Sequence, residues 1–177
     1  RTKCTFNTDW QFTKPGAAPV LYPAPHWNAA DGTDGGNDYF RGTCTYTKEF
    51  AAPAHANDEE VWLEFEGAAM TAIVTLNNQE LTRHAGGYST FRVNLTPALA
   101  AQNTLTVTVD NSANRTVYPQ KADFTFYGGL YRDVHILIDR TVTLRWVTTV
   151  RPPARAPEVS DDLHSAAVTV EAACENT

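Results

Sequence analysis

Apolar and polar residues alternate with a period of two through much of the chain. In Val61-Trp62-Leu63-Glu64-Phe65-Glu66 one face carries Val61, Leu63 and Phe65, and the other carries Trp62, Glu64 and Glu66. A half-buried strand gives this pattern, because successive side chains point to opposite sides of a sheet; a helix does not. Ala72-Ile73-Val74-Thr75-Leu76 then meets Asn77-Asn78, a pair that tolerates positive φ and suits a tight hairpin turn before Gln79-Glu80-Leu81-Thr82. The alternation returns at Phe91, Val93 and Leu95, at Leu105, Val107 and Val109, at Val134, Ile136 and Ile138, and at Val142, Leu144 and Trp146. Thr recurs between them, as strand propensity favours. Many short strands divided by Gly, Pro and Asn turns predict an all-β sandwich. The one helical stretch expected is about a turn over Pro97 to Gln102.

The pattern shifts near residue 140. Arg151-Pro152-Pro153-Ala154-Arg155-Ala156-Pro157 predicts a bend with little regular structure, and Ala167-Val168-Thr169-Val170-Glu171-Ala172 predicts one more strand. Two strands cannot bury a core alone. Residues 1–140 are therefore expected to form one sandwich, and 141–177 the start of a second, incomplete β domain. The alternative is a tail that packs back on the first sandwich.

Composition narrows the function. The 177 residues are 42% hydrophobic, 19% charged and 11% aromatic, which is a globular balance. The length suffices for one core but not for a (β/α)₈ barrel, which takes roughly 200 residues or more. A net charge of −6 with no basic stripe argues against nucleic acid, and no apolar run reaches the roughly 18 residues of a membrane span. The chain opens on Arg1 rather than Met, which suggests processing or a fragment. Cys4, Cys44 and Cys174 are too far apart for a Cys-x-x-Cys site; they allow at most one bridge, and three buried free thiols are expected. Asn94-Leu95-Thr96 and Asn114-Arg115-Thr116 are sequons that matter only in a eukaryotic secretory pathway.

Eight of the ten glycines lie at Gly32, Gly35, Gly36 and Gly42, at Gly86 and Gly87, and at Gly128 and Gly129. None sits in a phosphate-binding pattern. The loop Asp31-Gly32-Thr33-Asp34-Gly35-Gly36-Asn37-Asp38 is rich in oxygen ligands, but Gly42 stands where an EF-hand needs its bidentate Glu. A non-EF calcium site, a solvated loop and a ligand-contacting rim remain its readings. His26, His55, His84, His135 and His164 lack metal-ligand spacing and are expected as surface or satisfied core residues. No Gly-x-Ser-x-Gly nucleophile elbow is present. Trp27, Tyr39, Phe40, Tyr88, Phe124, Phe126 and Tyr127 lie in or beside the Gly-rich loops, where two or three could stack on sugar faces.

Phe126-Tyr127-Gly128-Gly129-Leu130-Tyr131-Arg132-Asp133-Val134 resembles the aromatic-Gly-Gly-Ile/Leu-Tyr-Arg-Asp-Val motif in the N-terminal domain of glycoside hydrolase family 2. Pro25-His26-Trp27-Asn28 resembles the family's early Pro-His-x-Trp-Asn element. Asp34 to Gly42, followed by Tyr46 and Lys48, is similar to its Tyr-x-Gly-x-x-x-Tyr-x-Lys strand entry. Phe65-Glu66-Gly67 to Leu76-Asn77, and His84 to Phe91, resemble the middle of that domain. Asn77-Asn78 departs from the family's usual Asn-Gly turn, and Thr45 and Thr47 flank Tyr46 where an aromatic and a basic residue are usual.

The resemblance implies a jelly-roll, galactose-binding-like sandwich, then an immunoglobulin-like domain beginning in 141–177, then a barrel with both catalytic Glu residues. Neither carboxylate of a retaining hydrolysis would belong to this chain, which is not expected to be active alone. It implies that Asp123 contacts the galactosyl group and a monovalent cation, with Phe124 and Phe126 beside it. Asn37 or Asn28 would make a similar contact from an earlier loop, with Trp27 on the pocket wall. Arg132 and Asp133 are expected to tie the sandwich to its neighbour. The enzyme implied is a β-galactosidase, with the Asp-Gly-Gly-Asn-Asp-Tyr loop tipping the choice. It would share a β-galactoside-type sugar with the barrel, use Na⁺ or Mg²⁺, form a homo-oligomer and reside in the bacterial cytoplasm, with secretion the alternative. The rivals are an autonomous carbohydrate-binding module acting through Trp27 and Tyr39, and a structural β domain for subunit contacts.

Overall fold

The computed structural model describes residues 1–22, 40–118 and 128–140, and the backbone of 158–159 and 166–167. The chain divides into two compact units, Arg1–Asp139 and Arg140–Thr177.

The first unit is built on two sheets. The larger has six strands: β3 (Val20–Tyr22), β2 (Trp10–Thr13), β4 (Thr43–Ala51), β10 (Gln102–Asp110), β7 (Thr71–Leu76) and β8 (Gln79–Ala85), in that spatial order. The smaller has the order β1 (Thr2–Thr5), β12 (Val134–Arg140), β5 (Glu59–Phe65) and β9 (Phe91–Asn94). A two-residue pairing of β6 (Ala68–Ala69) with β11 (Gly129–Leu130) stands apart from both. In the second unit, β13 (Glu158–Val159) pairs with β14 (Ala166–Ala167). No helix among the described residues is long and apolar enough to cross a membrane.

The alternation explains the core. Val61, Leu63, Phe65 and Val93 of the small sheet are buried in one cluster with Trp10, Phe12, Tyr46, Val74, Leu76, Leu105, Val107 and Val109 of the large one. Register aligns Phe12, Tyr46, Val107 and Val74 opposite one another across four strands, so inward positions stack as a continuous row. Burying each such side chain contributes roughly 1.5–3 kcal/mol. The hairpin between β7 and β8 turns on Asn77 (φ 50°) and Asn78 (φ 67°), both left-handed as a type I′ turn requires.

Two expectations change, and one group of strands is new. The helical turn is a single 3₁₀ turn at Thr96–Ala98, slightly earlier than the sequence indicated, with Pro97 fixing its start. Strands β1 to β3 carried no recognised pattern. Cys44 is buried and outside any disulfide, as expected, but Cys4 is exposed, because β1 is an edge strand with all four residues in solvent. Cys174, the predicted strand around Val142 to Trp146, the Pro-rich bend and most of the Ala167–Ala172 strand lie outside the described residues.

Candidate functional site

Thr43 pairs with Asp110, Asp110 with Thr71, and Thr71 with Ala85, so these four residues mark one end of the six-stranded sheet. Segment 23–39 rejoins the described chain here, at Phe40; segment 119–127 leaves it at Tyr118 and returns at Gly128. All six expected sugar contacts, Trp27, Asn28, Asn37, Asp123, Phe124 and Phe126, belong to these segments and lie outside the described residues, as do the candidate calcium loop Asp31–Asp38 and Tyr39. The structure shows what holds their roots.

Asn111, fully buried, is the first anchor. Its Oδ1 accepts from the Gly42 backbone N–H at 2.9 Å, and its Nδ2 donates to the Phe40 carbonyl at 3.2 Å. Its own N–H donates to Gly42 at 3.3 Å, and Arg41 Nε donates to its carbonyl at 3.0 Å. Beside it, the Asp110 carboxylate accepts from Thr43 Oγ1 at 2.8 Å and from the Ser112 N–H at 2.7 Å. Burial pushes the Asp110 carboxyl up, but these hydrogen bonds outweigh it and leave the group below its ordinary value.

The Gly-Gly-Leu-Tyr-Arg-Asp-Val segment is the second anchor. Gly129 adopts φ 77°, a conformation that favours glycine, and the following Leu130 is fully buried. Leu130 N–H donates to Tyr46 Oη at 3.2 Å, and burial drives the Tyr46 phenol far above its ordinary pKa, so it stays neutral. Tyr131 Oη donates to the Gly87 carbonyl at 2.7 Å, and its ring lies so close to Gly67 that a Cβ there would meet it at 2.7 Å. Tyr88 meets the Tyr131 ring edge-on, with centroids 6.2 Å apart. Asp133 is engaged within the sandwich: Asn7 Nδ2 donates to its carboxylate at 2.9 Å, and Asn7 Oδ1 accepts from the Val134 N–H at 2.8 Å. Arg132 lies over the Tyr131 ring at 5.3 Å. The motif thus clamps the return of segment 119–127 onto the N-terminal loop and the Gly86-Gly87 turn.

A second cluster was not anticipated. On the outward face of the small sheet, Glu64 and Glu66 approach His135, and one ligand atom from each lies within 4.8 Å of the others. Lys3 Nζ donates to Glu64 at 2.9 Å and to Glu66 at 3.4 Å, and Arg92 Nε donates to the second oxygen of Glu64 at 2.7 Å. Burial raises the Glu64 carboxyl, but the hydrogen bonds from Lys3 and Arg92 overcome this and set it below the ordinary value. His135 is buried, and its Nδ1 has no hydrogen-bond partner. It departs from the expectation of a surface or satisfied core histidine. The strand alternation placed both glutamates on one face, but the pairing that brings β12 beside β5 leaves no signal in either segment. His84 does follow expectation: its Nε2 lies 2.9 Å from the Gly86 carbonyl, and its ring stacks on Phe91.

Residues 33–146 match the family described as glycosyl hydrolase 2 galactose-binding domain-like. A β-glucuronidase of Bacteroides fragilis is 36% identical over 117 residues, which cover 64% of this chain and 17% of that protein. A β-galactosidase of Thermoanaerobacter pseudethanolicus is 28% identical over 104 residues, 56% of this chain and 14% of that protein. The crystal structure of an FMN-binding β-glucuronidase from Faecalibacterium prausnitzii L2-6 matches with a TM-score of 0.74 and 36% identity, over 81% of this chain and 23% of that one. The chain spans less than a quarter of the length of each of these relatives. A match that long, on a sandwich of this topology, makes the chain a member of the glycosyl hydrolase 2 galactose-binding-like domain family, corresponding to the non-catalytic N-terminal part of those enzymes.

Proposed function

We propose that this sandwich completes the sugar pocket of a longer family 2 β-glycosidase. Asp123 and Asn37, with Asn28 as the alternative to Asn37, accept hydrogen bonds from hydroxyls of the non-reducing sugar. Trp27, Phe124 and Phe126 shape the wall, and Asp123 also holds a monovalent cation. A carboxylate suits both tasks, because hydroxyls donate to it and a hard cation prefers oxygen. Both catalytic carboxylates come from a barrel outside this chain, in an enzyme that assembles from identical subunits.

The observation that carries the reading is convergence. Segment 23–39 returns beside the sheet end at Asp110, and segment 119–127 leaves and returns next to β6, which Met70 N–H ties to the Asp110 carbonyl, on roots fixed by Asn111 and by Leu130, Tyr131 and Asp133. A rigid scaffold presenting loops from one edge is the usual arrangement for a binding surface. For the sugar, the relatives favour a β-glucuronide over the β-galactoside that the Asp-Gly-Gly-Asn-Asp-Tyr loop suggested: the β-glucuronidase is 36% identical and the β-galactosidase 28%.

In the full-length enzyme, Asp123→Asn should lower kcat/KM by about a hundredfold or more, equivalent to roughly 2.7 kcal/mol, with Tm nearly unchanged. Assays on 4-nitrophenyl β-glucuronide and β-galactoside, with and without Na⁺, test the assignment. A rate close to wild type on both substrates removes Asp123 from the site. Faster turnover of the galactoside restores that sugar instead.

A further inference from the structure

We propose that Glu64, Glu66 and His135 form a binding site for a divalent transition metal of the Zn²⁺ type on the outward face of the small sheet. Glu64 of β5 and Glu66, one residue past its end, bring their carboxylates to that face, and β12 lies beside β5 and supplies the imidazole. One atom from each of the three residues lies within 4.8 Å of the other two. Paired carboxylates alone do not make a site, since exposed acidic groups are common. The second observation is His135. The residue is 8% exposed, and its Nδ1 is out of solvent without a hydrogen-bond partner. That nitrogen lies 3.6 Å from Glu66 Oε1, too far for a hydrogen bond.

The 3.6 Å separation of His135 Nδ1 and Glu66 Oε1 suits a shared metal better than a direct contact. Zinc binds imidazole nitrogen and carboxylate oxygen at about 2.0–2.2 Å in a tetrahedron, which sets neighbouring ligand atoms roughly 3.3–3.6 Å apart. The nitrogen ligand argues against Ca²⁺ and Mg²⁺, which prefer all-oxygen sites, and toward zinc and its neighbours. Lys3 is the competitor. Its ammonium reaches both glutamates from the solvent side, but its side chain is 45% exposed, so a metal ion can displace it by a rotation of a flexible stem. Arg92 holds the other oxygen of Glu64 and would orient that carboxylate from outside the coordination sphere. The bound ion would tie Glu64 and Glu66 to β12, next to Asp133, whose carbonyl accepts from the Glu66 N–H at 3.0 Å.

The test is a Zn²⁺ titration of the metal-free full chain at neutral pH, read by competition with a chromophoric chelator and by long-range ¹H–¹⁵N spectra of the histidines. We expect one ion bound per chain, with the His135 Nδ1 resonance moving on binding. His135→Gln should weaken the affinity at least tenfold. Lys3→Met, an exposed substitution that removes the competing cation, should tighten it several-fold and keeps the proposal testable if His135→Gln does not fold. Absence of binding would leave an ion-pair network and overturn the site. Binding that neither substitution changes, or that moves another histidine instead, would also overturn it.

Discussion

Strand β10 carries a buried asparagine at each end, Asn103 just inside its start and Asn111 just beyond its finish, and the two use the same amide for different purposes. Asn103 serves the corner where β4, β7 and β10 meet, and its Nδ2 also donates to the Phe50 carbonyl of β4 at 3.4 Å. Its Oδ1 accepts from Asn77 Nδ2 at 2.9 Å and from the Ala100 N–H at 2.8 Å, and its Nδ2 donates to the Ala100 carbonyl at 2.7 Å. Asn77 in turn exchanges bonds with Thr104 and donates to the Ala98 carbonyl, so the β7–β8 turn and the 3₁₀ turn are sewn to β10. Asn111 works at long range, holding Phe40 and Gly42, about seventy positions back, where segment 23–39 ends. One amide closes a compact corner; the other roots a segment that the proposed function uses. A buried polar group therefore reports on function only through what it holds.

The largest break in this comparison comes from truncating each amide. Asn111→Ala and Asn103→Ala both strand buried backbone groups, and each should cost roughly 2–4 kcal/mol by urea denaturation. Turnover of the full-length enzyme, assayed where both variants remain folded, should separate them. A loss of about tenfold is expected for Asn111→Ala and little change for Asn103→Ala. Equal effects on turnover would erase the distinction.

A smaller effect is expected from pH. The Asp110 carboxyl sits below its ordinary value of 3.8 in the folded state, so its ionised form is favoured there. Its contribution is complete above that value and is lost as pH falls through the lower folded pKa. Urea midpoints should decline below about pH 4, and Asp110→Asn should flatten that decline. An unchanged acid limb in the variant would show that the Thr43 and Ser112 bonds carry no linkage. The smallest effect belongs to the Asn103 end. Asn78 holds φ 67°, and Asn78→Gly should stabilise the hairpin by about 0.5 kcal/mol, read as a modest rise in Tm.

The sheets were legible where inward positions are uniformly apolar. Val61, Leu63 and Phe65, or Leu105, Val107 and Val109, announce a buried face, and Asn77-Asn78 announces the turn that follows β7. Strand β4 was marked by the family resemblance and not by alternation, because its inward positions are Cys44, Tyr46 and Lys48. The lysine is tolerated there because its ammonium lies 4.1 Å from the Phe6 ring centroid and 5.7 Å from that of Trp10, and donates to the Thr8 carbonyl. Burial lowers its pKa. Strand β1 was hidden because Thr2 to Thr5 bury nothing. The Gly-Gly-Leu-Tyr-Arg-Asp-Val segment was recognisable as a motif, but its work was not. Tyr131 bonding to Gly87, and Asp133 to Asn7, link residues far apart in sequence, and neither strand period nor turn chemistry encodes such pairings.

The pairing of β1 with β12 sets Thr2 opposite Ile138, so the small sheet joins the first residues of the unit to its last. Within that sheet only β5 and β9 are available to each other until β12 has been made, and β1 must wait on the ribosome for a partner some 136 positions away. Closing so long a loop is slow compared with forming the β7–β8 hairpin. During synthesis the large sheet can assemble first, while the apolar row of β5 stays open on one side. The arrival of β12 between β1 and β5 is then expected late in folding.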